Sequence, residues 1–143
     1  MKKWLFITMI LVFHAGVHAQ NLPEILPVLA GFDRAVESHS PKKVLKFMDA
    51  DYALEQHDQM LQGNTVQFVD ELLSGYTSPD EGTYLSVHQK DVVQIDLYEM
   101  IHLDDSSQVI WKLLLKNGQI VYSTMWMKLN RKTGKYGIVG AVG

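Results

Sequence analysis

From Val92 to Val142 the apolar residues recur at every second position, and turn residues divide that stretch into four pieces. The spacing predicts strands over Val92 to Leu103, Val109 to Lys116, Gln119 to Leu129 and Lys135 to Val142, joined at Asp104 to Ser107, Asn117-Gly118 and Asn130 to Gly134. Asn-Gly between two apolar runs is the strongest short hairpin signal, because both residues tolerate the positive φ of a tight reversal. Such a chain must build an antiparallel meander, and the residues before it must cover one of its sides.

Those earlier residues carry a helical period. Ile25, Leu29, Phe32 and Val36 form one stripe. Ser40-Pro41 reads as a cap with proline at the first helical position, opening a short helix through Val44, Leu45 and Met48. Asp49-Ala50-Asp51 interrupts the pattern, and Tyr52 to Asp58 reads as a short strand with Tyr52, Leu54, Gln56 and Asp58 on one face. Asn64, with Gln67 three residues on, caps a further helix that buries Val66, Val69, Leu72 and Leu73 and stops at Gly75. The expected class is α+β, with about three N-terminal helices packed on a curved antiparallel sheet.

The start of the chain has a separate purpose. Lys2-Lys3, the apolar run Trp4 to Phe13, and small residues ending at Ala19 have the three parts of a secretory signal. That run is about half of what a bilayer-spanning helix needs, so the expectation is a cleaved signal peptide over residues 1–19 and one domain over 20–143. No cysteine is present to take a lipid anchor. The processed protein is expected free in the periplasm or outside the cell, without stable membrane insertion.

With the two leader lysines gone, 11 basic residues face 16 acidic ones, and the lysines do not cluster. That balance argues against nucleic acid as a partner. The absence of cysteine leaves burial alone to stabilise the fold. Four histidines remain, His39, His57, His88 and His102, none spaced as a zinc pair, so neither metal nor cofactor is expected; His39 and His88 read as surface residues.

If Asn117-Gly118 is a two-residue turn, Leu115 opposes Ile120, Leu113 opposes Tyr122, Trp111 opposes Thr124 and Val109 opposes Trp126. A symmetric turn at Asp104 to Ser107 sets His102 opposite Val109, Met100 opposite Trp111 and Tyr98 opposite Leu113. One face then carries Asp96, Tyr98, Met100, His102, Trp111, Tyr122, Thr124 and Trp126, and packs on the helices around a cavity. The other carries Ile95, Leu97, Ile110, Leu114 and Met125, with Glu99 opposite Lys112. An apolar face of that size usually marks an interface, and a homodimer through the sheet is the simplest way to cover it.

Two helices, a segment ending in Glu55-Gln56-His57-Asp58, a turn to Gly63, a helix with Phe68 and Leu72, and four long strands ending in Lys135-Tyr136-Gly137-Ile138-Val139-Gly140 make a recognisable order. It resembles the nuclear transport factor 2-like superfamily, which also holds ketosteroid isomerase-like and polyketide cyclase-like proteins. The resemblance covers essentially the whole processed chain and is one of layout. It implies a cone-shaped α+β domain, a pocket between sheet and helices, frequent dimers, and roles from isomerase, cyclase or dehydratase to plain binding.

Three residues are candidates for acid–base chemistry. Asp96 lies beside Tyr98, His102 sits among aromatic walls, and Asp58 points inward if Tyr52 to Asp58 is a strand. Each has a plainer alternative: a solvated strand-end carboxylate, a locally satisfied core histidine, an aspartate at a turn. The ligand-binding candidates are Tyr98, Met100, His102, Trp111, Tyr122, Thr124 and Trp126, walling a site for a small apolar or aromatic molecule. An enzyme of the isomerase, cyclase or dehydratase kind and a non-catalytic dimeric interaction module whose cavity its own side chains fill are the other readings.

Overall fold

In the computed structural model of the protein, which describes residues 22–142, the stripe at steps of three and four winds into α1 (Leu22–Glu37) and buries Ile25, Leu29, Phe32 and Val36. The expected signal peptide lies outside the described residues. Pro41 opens α2 (Pro41–Leu45), shorter than expected. Met48 leaves the helix to form a parallel bridge with Ile138, and the backbone bonds Asp49 N–H to Ile138 O (2.9 Å) and Ile138 N–H to Phe47 O (2.8 Å) fix it there.

The strand expected over Tyr52 to Asp58 is a helix. Asp49 caps α3 (Ala50–Tyr52), its Oδ1 accepting the Asp51 N–H at 3.1 Å, and α3 runs directly into a π-helix over Ala53–Met60. Ala50, Ala53, Leu54, Glu55 and Gln56 are strong helix formers, and that propensity outweighs a short alternation. The Leu61 N–H reaches Gln56 O at 3.1 Å, and left-handed Gln62 and Gly63 end the segment.

Asn64 caps α4 (Thr65–Leu73) as expected, accepting the Gln67 N–H at 3.1 Å. Its buried stripe is Phe68, Val69, Leu72 and Leu73, complete without Val66, which is exposed. Ser74 ends the helix, and its hydroxyl donates to Asp70 O (2.7 Å) and accepts from the Val87 N–H (2.9 Å). Gly75 has a different use from a helix stop: a Cβ there would lie 2.1 Å from Tyr122 O, so only glycine lets this strand close on its neighbour.

The sheet contains β1 (Gly75–Tyr76), β2 (Tyr84–Leu85), β3 (Val92–His102), β4 (Ser107–Leu115), β5 (Ile120–Asn130) and β6 (Lys135–Ala141). It runs β2-β1-β5-β4-β3, and β6 pairs with the second half of the β5 edge whose first half holds β1. All described pairings between strands are antiparallel.

Both expected registers are corrected. Leu115 N–H bonds Gln119 O at 2.9 Å, so the loop is the three residues Lys116-Asn117-Gly118, with Gly118 at φ 85°. This is the turn followed by a left-handed glycine, and the extra residue shifts the pairing by one. Trp111 therefore opposes Ser123, Lys112 opposes Tyr122 and Ile110 opposes Thr124. In β3 the turn end keeps the expected parity, with Met100 opposite Val109. An irregularity between Leu97 and Glu99 then reverses it, so Leu97 opposes Trp111 and Asp96 opposes Lys112. Glu99 faces Ile110 across the strands and does not pair with Lys112.

The helices cover the face built from Ile95, Met100, Val109, Trp111, Leu113, Val121, Met125, Met127 and Ile138. Phe32 of α1 stacks on Trp111 with ring centroids 5.2 Å apart and meets Phe47 edge-on at 5.9 Å. Buried Gln89 helps close the end of α1, its Nε2 donating to Ala35 O (3.3 Å) and Val36 O (3.2 Å), carbonyls that also accept from the Ser38 hydroxyl and the His39 N–H.

Trp111→Ala should remove the central plate of this core and cost about 3–5 kcal/mol. Urea unfolding should show a lower midpoint with an unchanged slope.

Candidate functional site

The single-wall site expected from the sequence divides in two. Met100, His102 and Trp111 belong to the helix-covered face, whereas Tyr98, Tyr122, Thr124 and Trp126 belong to the open one. The β4–β5 loop and the β3 irregularity are the cause, since a shift of one residue turns a side chain to the other side. Trp111 is 1% exposed, and Phe32, Leu113 and Met125 fill the space around it to the same degree. The sheet–helix interior at Trp111 is packed by its own side chains.

The three acid–base candidates lie apart. Asp96 is on the open face opposite Lys112 and accepts a hydrogen bond from Gln94 Nε2. His102 sits at the β3–β4 turn, with Nδ1 3.0 Å from Ser107 Oγ, on a shallow hollow of about 160 Å³ shared with Ile25, Met127 and Tyr136. Asp58, expected to point inward, is exposed, and its neighbour His57 is buried instead.

His57 and Asp58 were expected on opposite faces; on a helix turn they touch. His57 Nδ1 is 2.5 Å from Asp58 Oδ1, and Nε2 is 2.9 Å from Thr65 Oγ1. A carboxylate only accepts, so Nδ1–H donates to it, and Nε2 is hydrogen-bonded to the Thr65 hydroxyl. The imidazole also meets Phe68 edge-on at 5.5 Å. This row of hydroxyl, imidazole and carboxylate fastens the end of the π-helix to the first turn of α4.

The open face has the more continuous surface. Tyr84, Tyr76 and Tyr122 are paired in register across β2, β1 and β5, and Tyr98 of β3 reaches Tyr122 with ring centroids 5.0 Å apart. Around this row lie Ile101, Leu114 and Ile120, each 37% exposed, with half-buried Trp126. Ile110 is 8% exposed yet belongs to the open side, so its neighbours there already shield it. The sequence held the signal for this face, namely Tyr76 and Tyr84 in the segment between the α4 stripe and the long strands, but two-residue strands leave too short an alternation to detect.

On the helix side, Tyr52 lies against Phe68 with ring centroids 5.9 Å apart. Burial, and after it the Glu71 carboxylate, raises its phenol above the ordinary value near 10. Unfolding returns the phenol to that value, so the unfolded chain loses its proton first as the pH passes about 10. The stabilisation is whole below that pH and drains away as the pH rises through the folded value. Alkaline denaturation followed by phenolate absorbance should show a late-titrating tyrosine that Tyr52→Phe removes.

Among the described residues no three His, Asp or Glu side chains are grouped to hold a metal, and no helix is long and apolar enough to cross a membrane. No family model and no curated protein matches the sequence. Among solved structures, the chain is similar to an NTF2-like protein provisionally assigned as a transpeptidase from Campylobacter jejuni (17% identity, 78% of this chain, 94% of that one, TM-score 0.47). It is also similar to a provisionally assigned dehydratase of the NTF2-like family from Streptomyces avermitilis (11%, 86%, 94%, TM-score 0.45) and to a DUF4783 family protein from Bacteroides ovatus (17%, 76%, 86%, TM-score 0.42). The likeness is one of layout and brings no activity to this chain: among the described residues, helical segments packed on one side of a curved, unclosed antiparallel sheet make a fold similar to that of nuclear transport factor 2-like proteins.

Proposed function

We propose that the chain is an exported, non-catalytic interaction module that pairs with a second copy of itself through the open face of its sheet. The observation that carries this reading is the contrast between the two faces. Where a ligand would sit under the helices, Trp111 and Phe32 occupy the space; on the other side an aromatic and aliphatic surface faces water. Interfaces are enriched in tyrosine and tryptophan for the same reason, since these side chains bury much area for little lost rotamer freedom.

A second copy suits this surface better than a charged partner. The processed chain is acidic, which opposes self-association in general. On the open face, however, Asp96 stands directly opposite Lys112, so the centre of the patch holds both signs. A two-fold contact sets the same patch against itself and can place each of these beside the other sign. The dispersal of Asp58, Asp96 and His102 over three parts of the molecule supports the non-catalytic part of the reading, and the leader-like residues 1–19 support export.

Sedimentation velocity should find a dimer at micromolar concentration. Leu114→Glu with Ile120→Asp, both at exposed positions, should raise the dissociation constant by at least about tenfold while leaving the monomer folded. A monomeric unsubstituted protein would end this reading.

A further inference from the structure

A groove independent of the sheet's open face runs between the π-helix, α4 and the end of β6. Tyr52, Gln56, Met60 and Leu61 line it from one side, Glu71, Leu72 and Phe68 from another, and Gly140 and Ala141 from the sheet. Its volume is about 260 Å³, room for roughly eight or nine water-sized groups. That volume suits a ligand with a short chain or a single ring.

The lining has an unusual charge balance. Glu71 is its one acidic residue, and no lysine, arginine or histidine is among the lining side chains. Glu71 Oε1 accepts from Gln67 Nε2 at 3.0 Å, which leaves a carboxylate with further acceptor positions. Tyr52 adds an aromatic ring beside the carboxylate, a kind of surface that attracts cations, and burial keeps its phenol neutral, while Phe68 backs the wall from within the core. Met60, Leu61 and Leu72 supply apolar surface alongside. A carboxylate, a phenol oxygen and an amide oxygen offer three acceptors, the number of N–H donors on a primary ammonium.

We propose that this groove binds a small primary ammonium ion carrying a short aliphatic or aromatic chain. The ammonium sits at Glu71 with Tyr52 and Gln56, and the chain lies along Met60, Leu61 and Leu72. The π-helix is what makes the wall: its wider turn brings Gln56, Met60 and Leu61 to one side beside Tyr52, and such turns recur at binding sites.

The test is a calorimetric and nuclear magnetic resonance titration of the purified protein with n-hexylammonium, against hexan-1-ol and hexanoate, which share the chain and differ in the head. Hexylammonium should bind saturably, about three- to tenfold more tightly than hexanol, with hexanoate weaker than both. Shifts should centre on Tyr52, Gln56 and Glu71. Glu71→Gln should abolish the preference for the ammonium while retaining hexanol binding, and Glu71→Asp should restore part of it; retained hexanol binding reports that the groove is still formed. Equal binding of hexanoate, an unchanged preference in Glu71→Gln, or shifts confined to the open sheet face would overturn the proposal. None of these outcomes depends on the oligomeric state, so the groove and the dimer stand or fall separately.

Discussion

Which side of β5 faces the helices is decided by one loop. The three residues Lys116-Asn117-Gly118 place Val121, Ser123, Met125 and Met127 in the core and turn Tyr122, Thr124 and Trp126 away from it. A two-residue turn would do the reverse and ask the helices to cover two large aromatic rings and a threonine. The arrangement adopted puts slim or flexible side chains, Val121, Ser123 and the two methionines, beneath α4 and α1, where Trp111 already takes the available volume. Ser123 can even donate to Leu72 O at 3.0 Å, which ties β5 to the end of α4. Core packing and loop conformation therefore favour the same register.

The irregularity in β3 does comparable work at the other side of β4. It lets Met100 near one end and Ile95 near the other both face the helices, although they are five residues apart and a regular strand would send them to opposite sides. The same kink separates Asp96 from His102, which regular alternation would have left on one face. Irregular positions thus decide which polar groups share an environment, and those positions have no periodic signature.

The sequence was legible where a pattern repeats often enough to be read: α1 by its stripe, α4 by its cap, and the four long strands to within a few residues. It was not legible where one residue changes parity. Asn117-Gly118 announced the hairpin correctly but not its loop length, and every face assignment on β5 followed from that length. The segment after Asp49 failed for another reason. Tyr52, Leu54 and Gln56 alternate, yet the same residues hold strong helix formers, and Asp49 is a cap rather than a breaker. As a consequence the groove residues Tyr52, Gln56 and Met60 were missed, though their spacing of four is a helical one. The apolar open face was anticipated in part: Ile110 and Leu114 lie on it as expected, whereas Ile95, Leu97 and Met125 turn to the helices and Tyr98, Tyr122 and Trp126 take the open side.

The end of α1 does more than close a helix. His39, in the left-handed region at φ 58°, places Nε2 2.7 Å from Val92 O, and Glu37 Oε1 accepts the Ile95 N–H at 3.2 Å. Both backbone groups belong to β3, which pairs with β4 alone among the described residues. A rim strand of this kind is a template on which further chains can stack into a ribbon without limit. By occupying those groups from within, the helix end blunts the rim, and the two-residue β2 leaves little to add to at the opposite side. Open-ended stacking of strands is thereby disfavoured at both edges of the sheet.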